Sequence, residues 1–426
     1  MFALKPPTRE ECGLEPEPEV DKTNWHVHVH RFAHNFNYEG LSKDKNLDEP
    51  VKGELRKGYN YLQTTDGYGL DPAVTLTEDQ IPFVTWTADQ ALEMLEKEFL
   101  VPKPDGVPIL SACNGWLLDE HAKERFRVIC ETLFNRTLDH DGLPAVAYPS
   151  GREVADALSR CKYTLELDAK GWYIQLCLGG DNKATKQHPE GSKESVGNKN
   201  AYCIKLKEPV FWEGKFHSVL MLAKAPMGSS YCCAAAQSAT TALARPLDFL
   251  DKKLGVYHTS VVDNTIIGAE TKEGFVKAVR LFLERCKEFN CTLSDVEKFE
   301  NCSDEFIAEE GRKHKEGPSR ILGVMYQDEF VLNSEKHITK LTDAYKRIQA
   351  ANTNDEVQVK RRELASVLSL AIWLMYNVQI PLSSHPGILK LFSTLEASTK
   401  GWDSEVKITK HISSVLHPVV TLLARN

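Results

Sequence analysis

The 426-residue sequence lacks the cysteine spacing of a zinc site and a secretory signal, two features that would assign it to a class of protein directly. None of its eleven cysteines forms a pair with the two-residue spacing of a zinc site, and several lie in apolar runs. They are typical of buried small side chains in a reducing compartment. The first twenty residues are polar and rich in proline and glutamate, so no secretory signal is indicated. We therefore expect an intracellular protein, in the cytoplasm or the nucleus.

Long hydrophobic runs and excess positive charge are also missing. The longest apolar stretch, Leu364 to Tyr376, is too short to cross a bilayer and predicts a buried helix, so no membrane partner is expected. The formal net charge is −8. Phosphate binding depends on Lys and Arg, so any nucleic-acid surface must be local. The candidate basic clusters are Lys123 with Arg125 and Arg127, residues 312–315 and residues 360–362. Each of them, taken singly, is more typical of a solvated face.

A chain of this length predicts two or three subdomains rather than one core. Residues 1 to about 22 are typical of a disordered or extended tail. The strict alternation from Trp25 to His30 predicts a strand with three histidines on one face. One flat strand rarely gives the tetrahedral convergence of a metal site, so a structural strand is favoured over a metal hydrolase. Thr87 precedes an amphipathic pattern and predicts a helix N-cap.

Two aspartates each stand at the end or turn of an apolar, β-rich run. Asp168 ends the run that begins at Tyr163, and Asp263 lies within residues 260–268. An aspartate that bounds a strand is usually turn chemistry when it occurs alone. Two carboxylates that converge on one sheet edge, however, suit phosphoryl transfer with two divalent metals. Mg²⁺ prefers such hard oxygen ligands and keeps part of its coordination for substrate phosphates.

Six short motifs surround these aspartates in a fixed order. They are Arg125 to Asn135; Asp168 with Tyr173 and Gln175; Pro226-Met227-Gly228 with Gln237 nine residues after the glycine; Val261 to Asn264; Phe289 to Lys298; and Arg320 to Tyr326 around Leu322-Gly323. In this order they resemble the motifs of reverse transcriptases, over roughly residues 110 to 400. The resemblance is to the enzymes of long-terminal-repeat or tyrosine-recombinase retrotransposons.

The resemblance implies an α+β fold of the right-hand polymerase type, with fingers, palm and thumb. The order of strand and helix patterns also matches the ferredoxin-like βαββαβ frame of a palm. We expect an N-terminal extension at residues 1–75, fingers at 76–150, a palm at 151–333 and a helical thumb or connection at 334–426. Residues 179–200, polar and rich in glycine and lysine, predict an exposed loop inserted in the palm. No ribonuclease H pattern follows, so we expect a fragment, a truncated copy or a standalone descendant.

The resemblance also implies an activity, RNA-directed DNA polymerisation by a two-metal mechanism. Its partners would be an RNA or DNA template-primer and deoxynucleoside triphosphates, and its cofactor Mg²⁺ or Mn²⁺. The implied metal ligands are Asp168, Asp263 and the backbone carbonyl of Ala169, with Asn264 beside them and Lys298 as a proton donor to pyrophosphate. The implied nucleotide contacts are Arg125, Arg127, Tyr173, Pro226, Met227, Gly228 and Gln237, and the implied primer grip is Leu322 and Gly323. Gln237 is alternatively a structural polar group, and Lys298 is alternatively a surface lysine.

The pattern departs from the family at two positions. Asn264 replaces the second aspartate of a pair, and Val261 replaces an aromatic residue. An amide oxygen brings no formal charge, so Mg²⁺ affinity should fall. The alternative is therefore a catalytically inactive reverse-transcriptase-like protein kept as a nucleic-acid-binding or scaffold subunit. The acidic net charge favours that alternative, whereas the retained Asp168 and Asp263 favour the enzyme.

Overall fold

The computed structural model describes most of the chain in detail. The described residues are 21–120, 123–149, 151–179, 196–250, 252–316, 319–321, 324–327, 330–352, 358–378, 380–396, 404–407 and 410–425. Within these ranges, no helix combines the length and the apolar character that a bilayer crossing needs.

Twelve helices occur in the described residues. They are α1 (Tyr38–Ser42), α2 (Glu49–Gln63), α3 (Ala88–Glu96), α4 (Gly151–Arg160), α5 (Trp172–Gln175), α6 (Cys232–Ala244), α7 (Lys272–Glu288), α8 (Asp304–Glu316), α9 (Glu335–Asn352), α10 (Arg361–Asn377), α11 (Pro386–Glu396) and α12 (Lys410–Leu423). Short 3₁₀ turns connect several of them, including Lys199–Ala201 and Val296–Phe299.

Fourteen strands in the same residues form five small sheets. They are β1 (His26–Val27), β2 (Leu100–Pro102), β3 (Cys113–Glu120), β4 (Arg125–Thr132), β5 (Tyr163–Asp168), β6 (Cys203–Trp212), β7 (Lys215–Leu222), β8 (Val256–Val261), β9 (Asn264–Ala269), β10 (Ser319–Ile321), β11 (Val324–Gln327), β12 (Phe330–Asn333), β13 (Gln358–Lys360) and β14 (Glu405–Lys407). The sheet orders are β1-β4-β3, β2-β7-β6, β5-β9-β8, β10-β11-β12 and β13-β14.

The sheet β5-β9-β8 is antiparallel throughout and carries both aspartates near one edge. Its elements follow the order β5, α6, β8, β9, α7 along the chain. On the free side of β5, Ala169 forms a single antiparallel bridge with Leu293. The last strand of the expected βαββαβ order is therefore reduced to one bridge in the described residues.

Two separate large hydrophobic cores hold the chain together. The first extends from Val27 to Ala308 and includes the inner face of α6. This helix is rich in alanine, whose small side chain allows a close approach to neighbouring elements. The second core lies among the C-terminal helices, from Leu341 to Leu423.

Some local predictions are confirmed. Thr87 caps α3, since its hydroxyl oxygen accepts a hydrogen bond of 3.2 Å from the Gln90 amide. Helix α7 likewise has Thr271 as its N-cap, with the hydroxyl oxygen accepting a hydrogen bond of 3.1 Å from the Gly274 amide. In both cases a hydroxyl side chain satisfies an amide that the first helical turn leaves without a partner.

Other local predictions are wrong in extent. The strand expected from Trp25 to His30 is only His26–Val27, because β4 pairs with no more than these two residues. The buried helix predicted from Leu364 to Tyr376 is α10, which begins earlier, at Arg361, directly after the short strand β13. Within the expected exposed loop, Lys199 and Asn200 are buried. Residues 180–195 of that loop lie outside the described residues, and the subdomain boundaries stay predictions.

Candidate functional site

Asp168 and Asp263 come together because two strands pair at their ends. Asp168 is the last residue of β5 and lies opposite Asn264, the first residue of β9. Asp263 precedes Asn264 in the turn from β8, and its carbonyl oxygen accepts a hydrogen bond of 2.7 Å from the Ala169 amide. Asp168, Ala169 and Asp263 all line one cavity of about 180 Å³. Strand pairing thus places the three candidate metal ligands around one space.

Helix α6 supports the turn that carries Asp263. Val262 has a φ of 54°, a left-handed conformation that is costly for a β-branched residue. The buried Gln237 side chain accepts a hydrogen bond of 2.6 Å from the Val262 amide and donates one of 2.9 Å to the Ser260 carbonyl. Thr240 donates a further hydrogen bond of 2.5 Å to the Val262 carbonyl. Gln237 is not among the described residues that line the cavity. Gln237 therefore supports the turn through its hydrogen bonds to Val262 and Ser260 and does not face the cavity.

The segment after α7 holds Asp168 from the other side. Ser294 donates two hydrogen bonds to Asp168, one of 2.7 Å from its amide to the carbonyl and one of 2.8 Å from its hydroxyl to the carboxylate. Gln175 ties the same segment to α5. It donates 2.8 Å bonds to the carbonyls of Lys170 and Thr292, and accepts one of 2.8 Å from the Thr292 amide. The carboxylate of Asp168 is therefore oriented by residues more than 100 positions away in sequence.

A third carboxylate, Glu166, belongs to the acidic side of the site. Burial first, then the charges of Asp168 and Asp263, raise the pKa of Glu166 to about 7. Burial and the neighbouring Asp168 also raise the pKa of Asp263, and Arg127 partly opposes this effect. Glu166 is not among the site residues that the motifs predict. The two-residue period of a strand places it on the same face as Asp168, so the signal was present.

The basic side of the cavity is formed by Lys123, Arg125 and Arg127. Arg125 lies opposite Glu120 in the β3–β4 pair, and its Nε is 2.5 Å from a Glu120 carboxylate oxygen. Arg127 forms a second salt bridge to the same carboxylate. No described cation forms a salt bridge with Asp168 or Asp263. The arginines are thus neutralised within the protein, and the two aspartates are not.

Tyr173 and Met227 complete the lining of the cavity. The Tyr173 hydroxyl is 3.0 Å from the Cys233 sulfur, and burial raises the pKa of Tyr173. The Met227 carbonyl accepts a hydrogen bond of 2.7 Å from the Cys130 amide. Gly228 has a φ of 110°, and a Cβ there would be 2.7 Å from the Cys130 carbonyl oxygen. Glycine therefore allows this turn to approach β4 closely. Pro226 is buried beside it.

The remaining candidate residues lie elsewhere. The Asn264 amide nitrogen is 3.3 Å from an Asp263 carboxylate oxygen, so this side chain contacts the aspartate rather than the cavity. Lys298 lies 3.9 Å from Glu310 and does not line the cavity either. Leu322 and Gly323 lie outside the described residues, between β10 and β11.

The N-terminal histidines do not assemble a metal site. The ring nitrogens of His28 and His30 lie 2.9 Å apart, and burial lowers the pKa of each to about 4. In the described part of the chain, no three or more His, Cys, Asp or Glu residues form a group that could hold a metal ion. Asp168 and Asp263 are two, and a nucleotide-bound Mg²⁺ takes its remaining ligands from phosphates, backbone and water.

Comparison with known proteins identifies the class of fold. The chain has a mixed α/β fold similar to that of a reverse transcriptase. The similarity is to the structure of the foamy viral protease-reverse transcriptase dRH in complex with ds DNA, with a TM-score of 0.50 and 13% sequence identity. The match covers 97% of this chain and 63% of that chain. No protein-family model and no curated protein matches the sequence.

Proposed function

We propose that the protein is a template-directed nucleotidyltransferase, an RNA-directed DNA polymerase of retroelement origin. The observation that carries this proposal is the pair Asp168 and Asp263, joined by strand pairing in one cavity opposite Arg125 and Arg127. The reverse-transcriptase-like fold supports it. The nucleic-acid partner is proposed to be an RNA or DNA template-primer, and the second substrate a deoxynucleoside triphosphate.

The acidic side of the cavity suits a divalent cation. Two desolvated carboxylates repel each other, as the raised pKa of Asp263 indicates, and no described side chain neutralises them as an ion pair. Mg²⁺ or Mn²⁺ held by Asp168, Asp263 and the Ala169 carbonyl would supply the charge neutralisation that phosphoryl transfer requires. Asn264 would act through its contact with Asp263 rather than as a charged ligand.

The other residues would position the nucleotide. Arg125 and Arg127 would bind the triphosphate, since a planar guanidinium fits phosphate oxygens well. The Tyr173 ring would exclude a 2′-hydroxyl on the sugar. Met227, with Pro226 and Gly228 behind it, would form the floor under the base pair.

Further assignments rest on the motif resemblance. Leu322 and Gly323 would grip the primer. Lys298 would protonate pyrophosphate only after leaving Glu310. The fingers, palm and thumb would correspond to residues 76–150, 151–333 and 334–426.

The second candidate is a catalytically inactive palm that still binds nucleic acid. Two observations favour it: Asn264 contributes no charge, and both arginines of the cavity are occupied by Glu120. In this reading, the carboxylates would be remnants without a metal. The two candidates differ in one measurable property, namely primer extension that depends on Asp263.

Primer extension by the purified full chain separates these candidates. The substrates are an RNA template with a DNA primer and deoxynucleoside triphosphates, with Mg²⁺ or Mn²⁺. We expect extension by the wild type, none above background by Asp263→Ala, and faster extension by Asn264→Asp because the added negative charge beside Asp263 strengthens metal binding. Asp304→Ala is the control, since Asp304 pairs with Arg280 on the surface. Equal product from wild type and Asp263→Ala with both metals would favour the inactive alternative.

A further inference from the structure

A cysteine and a lysine face each other next to the candidate site. Cys177 and Lys224 are paired in an isolated antiparallel bridge. Hydrogen bonds of 3.0 Å from Leu178 to Ala223 and 2.8 Å from Ala225 to Leu176 hold the two backbones on either side of the pair. Residues directly opposite in such a pairing carry side chains on the same face. Their proximity is therefore fixed by the backbone and not only by two flexible side chains.

The surroundings of Lys224 are unusual for a lysine. The residue is only 3% exposed, and no described carboxylate forms a salt bridge with it. Its amino nitrogen lies 3.2 Å from the Cys177 sulfur and also contacts the Asn35 side-chain oxygen. Lysines are almost never fully buried without a charged partner. The thiol is thus the nearest reactive group to a buried amine.

Small oxidants can reach this pair. Cys177 is partly exposed and, with Asn35, lines a second cavity of about 910 Å³. This cavity is separate from the one that Asp168 and Asp263 line. Most of the other described cysteines are buried. A partly exposed thiol beside an amine meets the two requirements for selective oxidation followed by capture.

We propose that Cys177 and Lys224 form a covalent sulfur–nitrogen bridge in the presence of a peroxide. The Cys177 thiolate attacks one peroxide oxygen, so that the O–O bond breaks, hydroxide leaves and the sulfur is oxidised to a sulfenic acid. The Lys224 amine, after it has released a proton to solvent, then attacks that sulfur. The S–O bond breaks, an S–N bond forms, and the oxygen leaves as water with a proton from the nitrogen. In sum, one thiol, one amine and one hydrogen peroxide give a sulfenamide and two waters.

The bridge would tie the segment that follows β7 to the segment that follows α5. Lys224 lies three residues before Met227, and Cys177 lies four residues after Tyr173. Met227 and Tyr173 both line the cavity that contains Asp168 and Asp263. The modification therefore lies within a few residues of the candidate site without using any of its residues. It does not depend on the polymerase proposal.

Peptide mass spectrometry of the full chain after hydrogen peroxide treatment tests the bridge. We expect a tryptic peptide containing Cys177 linked to one containing Lys224, lighter than their sum by two hydrogen atoms and separated again by a thiol reductant. Cys302 is also partly exposed, but no described lysine forms a hydrogen bond with its sulfur, so it should give no linked peptide.

Two variants provide the controls. Lys224→Met should abolish the linked peptide and leave Cys177 to oxidise further to the sulfinic acid. Cys302→Ser should leave the Cys177–Lys224 link unchanged. The wild-type spectrum tests the proposal by itself, so the test remains valid even if Lys224→Met does not fold. Sulfinic acid at Cys177 in the wild type, without any linked peptide, would overturn it.

Discussion

The cavity that Asp168 and Asp263 line, here the carboxylate cavity, has an acidic side and a basic side, and only the charges of the basic side are paired within the described part of the protein. On the acidic side, Asp168 and Asp263 have no described ion-pair partner, and the pKa of Glu166 rises to about 7. On the basic side, Glu120 neutralises both Arg125 and Arg127. A charge buried without a partner is costly, whereas a paired one is tolerated. Under the proposed function, the acidic side would bind an external cation, and the basic side would have to exchange Glu120 for a phosphate.

Removing the support of the acidic side should have the largest effect. Gln237→Leu leaves the Val262 amide and the Ser260 carbonyl without their side-chain partner, at about 1–3 kcal/mol for each buried unsatisfied group. Displacement of Asp263 by even about 1 Å should lower the extension rate on the order of 100-fold. The rate at saturating nucleotide measures this.

Gln90→Leu is the matched control for that variant. Gln90 completes the N-terminal capping of α3 and does not line the cavity. Its loss should cost about 1 kcal/mol of stability and leave the extension rate unchanged. Equal rates for wild type and Gln237→Leu would show that the turn does not need this helix.

The pH dependence of stability should reveal the unpaired acids. Because Glu166 titrates at about 7 in the folded protein and at 4.5 as its ordinary value, the folded state binds more protons between these limits. The free energy of unfolding should therefore fall as pH rises from about 4.5 to 7. After allowance for partial exposure, the fall is on the order of 1 kcal/mol. Urea unfolding across this range measures it.

Two changes should flatten that slope. Glu166→Gln removes the titrating group. Saturating Mg²⁺, if Asp168 and Asp263 hold it as proposed, would neutralise the two charges that help to raise the pKa of Glu166. A slope that is identical in wild type and Glu166→Gln would assign the pH dependence to other groups.

Releasing the internal anion on the basic side should have the smallest effect. Glu120→Gln removes the carboxylate that neutralises Arg125 and Arg127, so pyrophosphate affinity should rise about threefold to tenfold, the range of one ordinary net hydrogen bond. Calorimetric titration measures this. Glu309→Gln, which removes a surface pair with Arg312, should leave the affinity unchanged. Weaker binding by Glu120→Gln would mean that Glu120 positions the arginines instead of competing with phosphate.

The sequence predicts the carboxylates of the acidic side better than the residues that hold them in place. Strand alternation and turn chemistry locate Asp168 and Asp263, and the same alternation contains Glu166. Ser294 and Gln175, however, act across 126 and 117 positions of sequence. No local period encodes such contacts, since they depend on how α7 returns the chain to the sheet.

The basic side and the polar supports show a second limit. The sequence identifies Arg125 and Arg127 as cations but cannot show that the β3–β4 register places Glu120 against them. For Gln237, the motif resemblance suggested a nucleotide contact, whereas the hydrogen bonds lead to Val262 and Ser260. Helix caps such as Thr87 were predictable because their hydrogen bonds are local.

A Mn²⁺ titration tests most directly whether Asp168 and Asp263 form one cation site. The free ion is measured by electron paramagnetic resonance. The wild type should bind Mn²⁺, and Asp168→Asn and Asp263→Asn should each weaken binding at least about tenfold, or about 1.4 kcal/mol. Asp304→Asn should bind as the wild type does. Unchanged Mn²⁺ affinity in both aspartate variants would contradict the account.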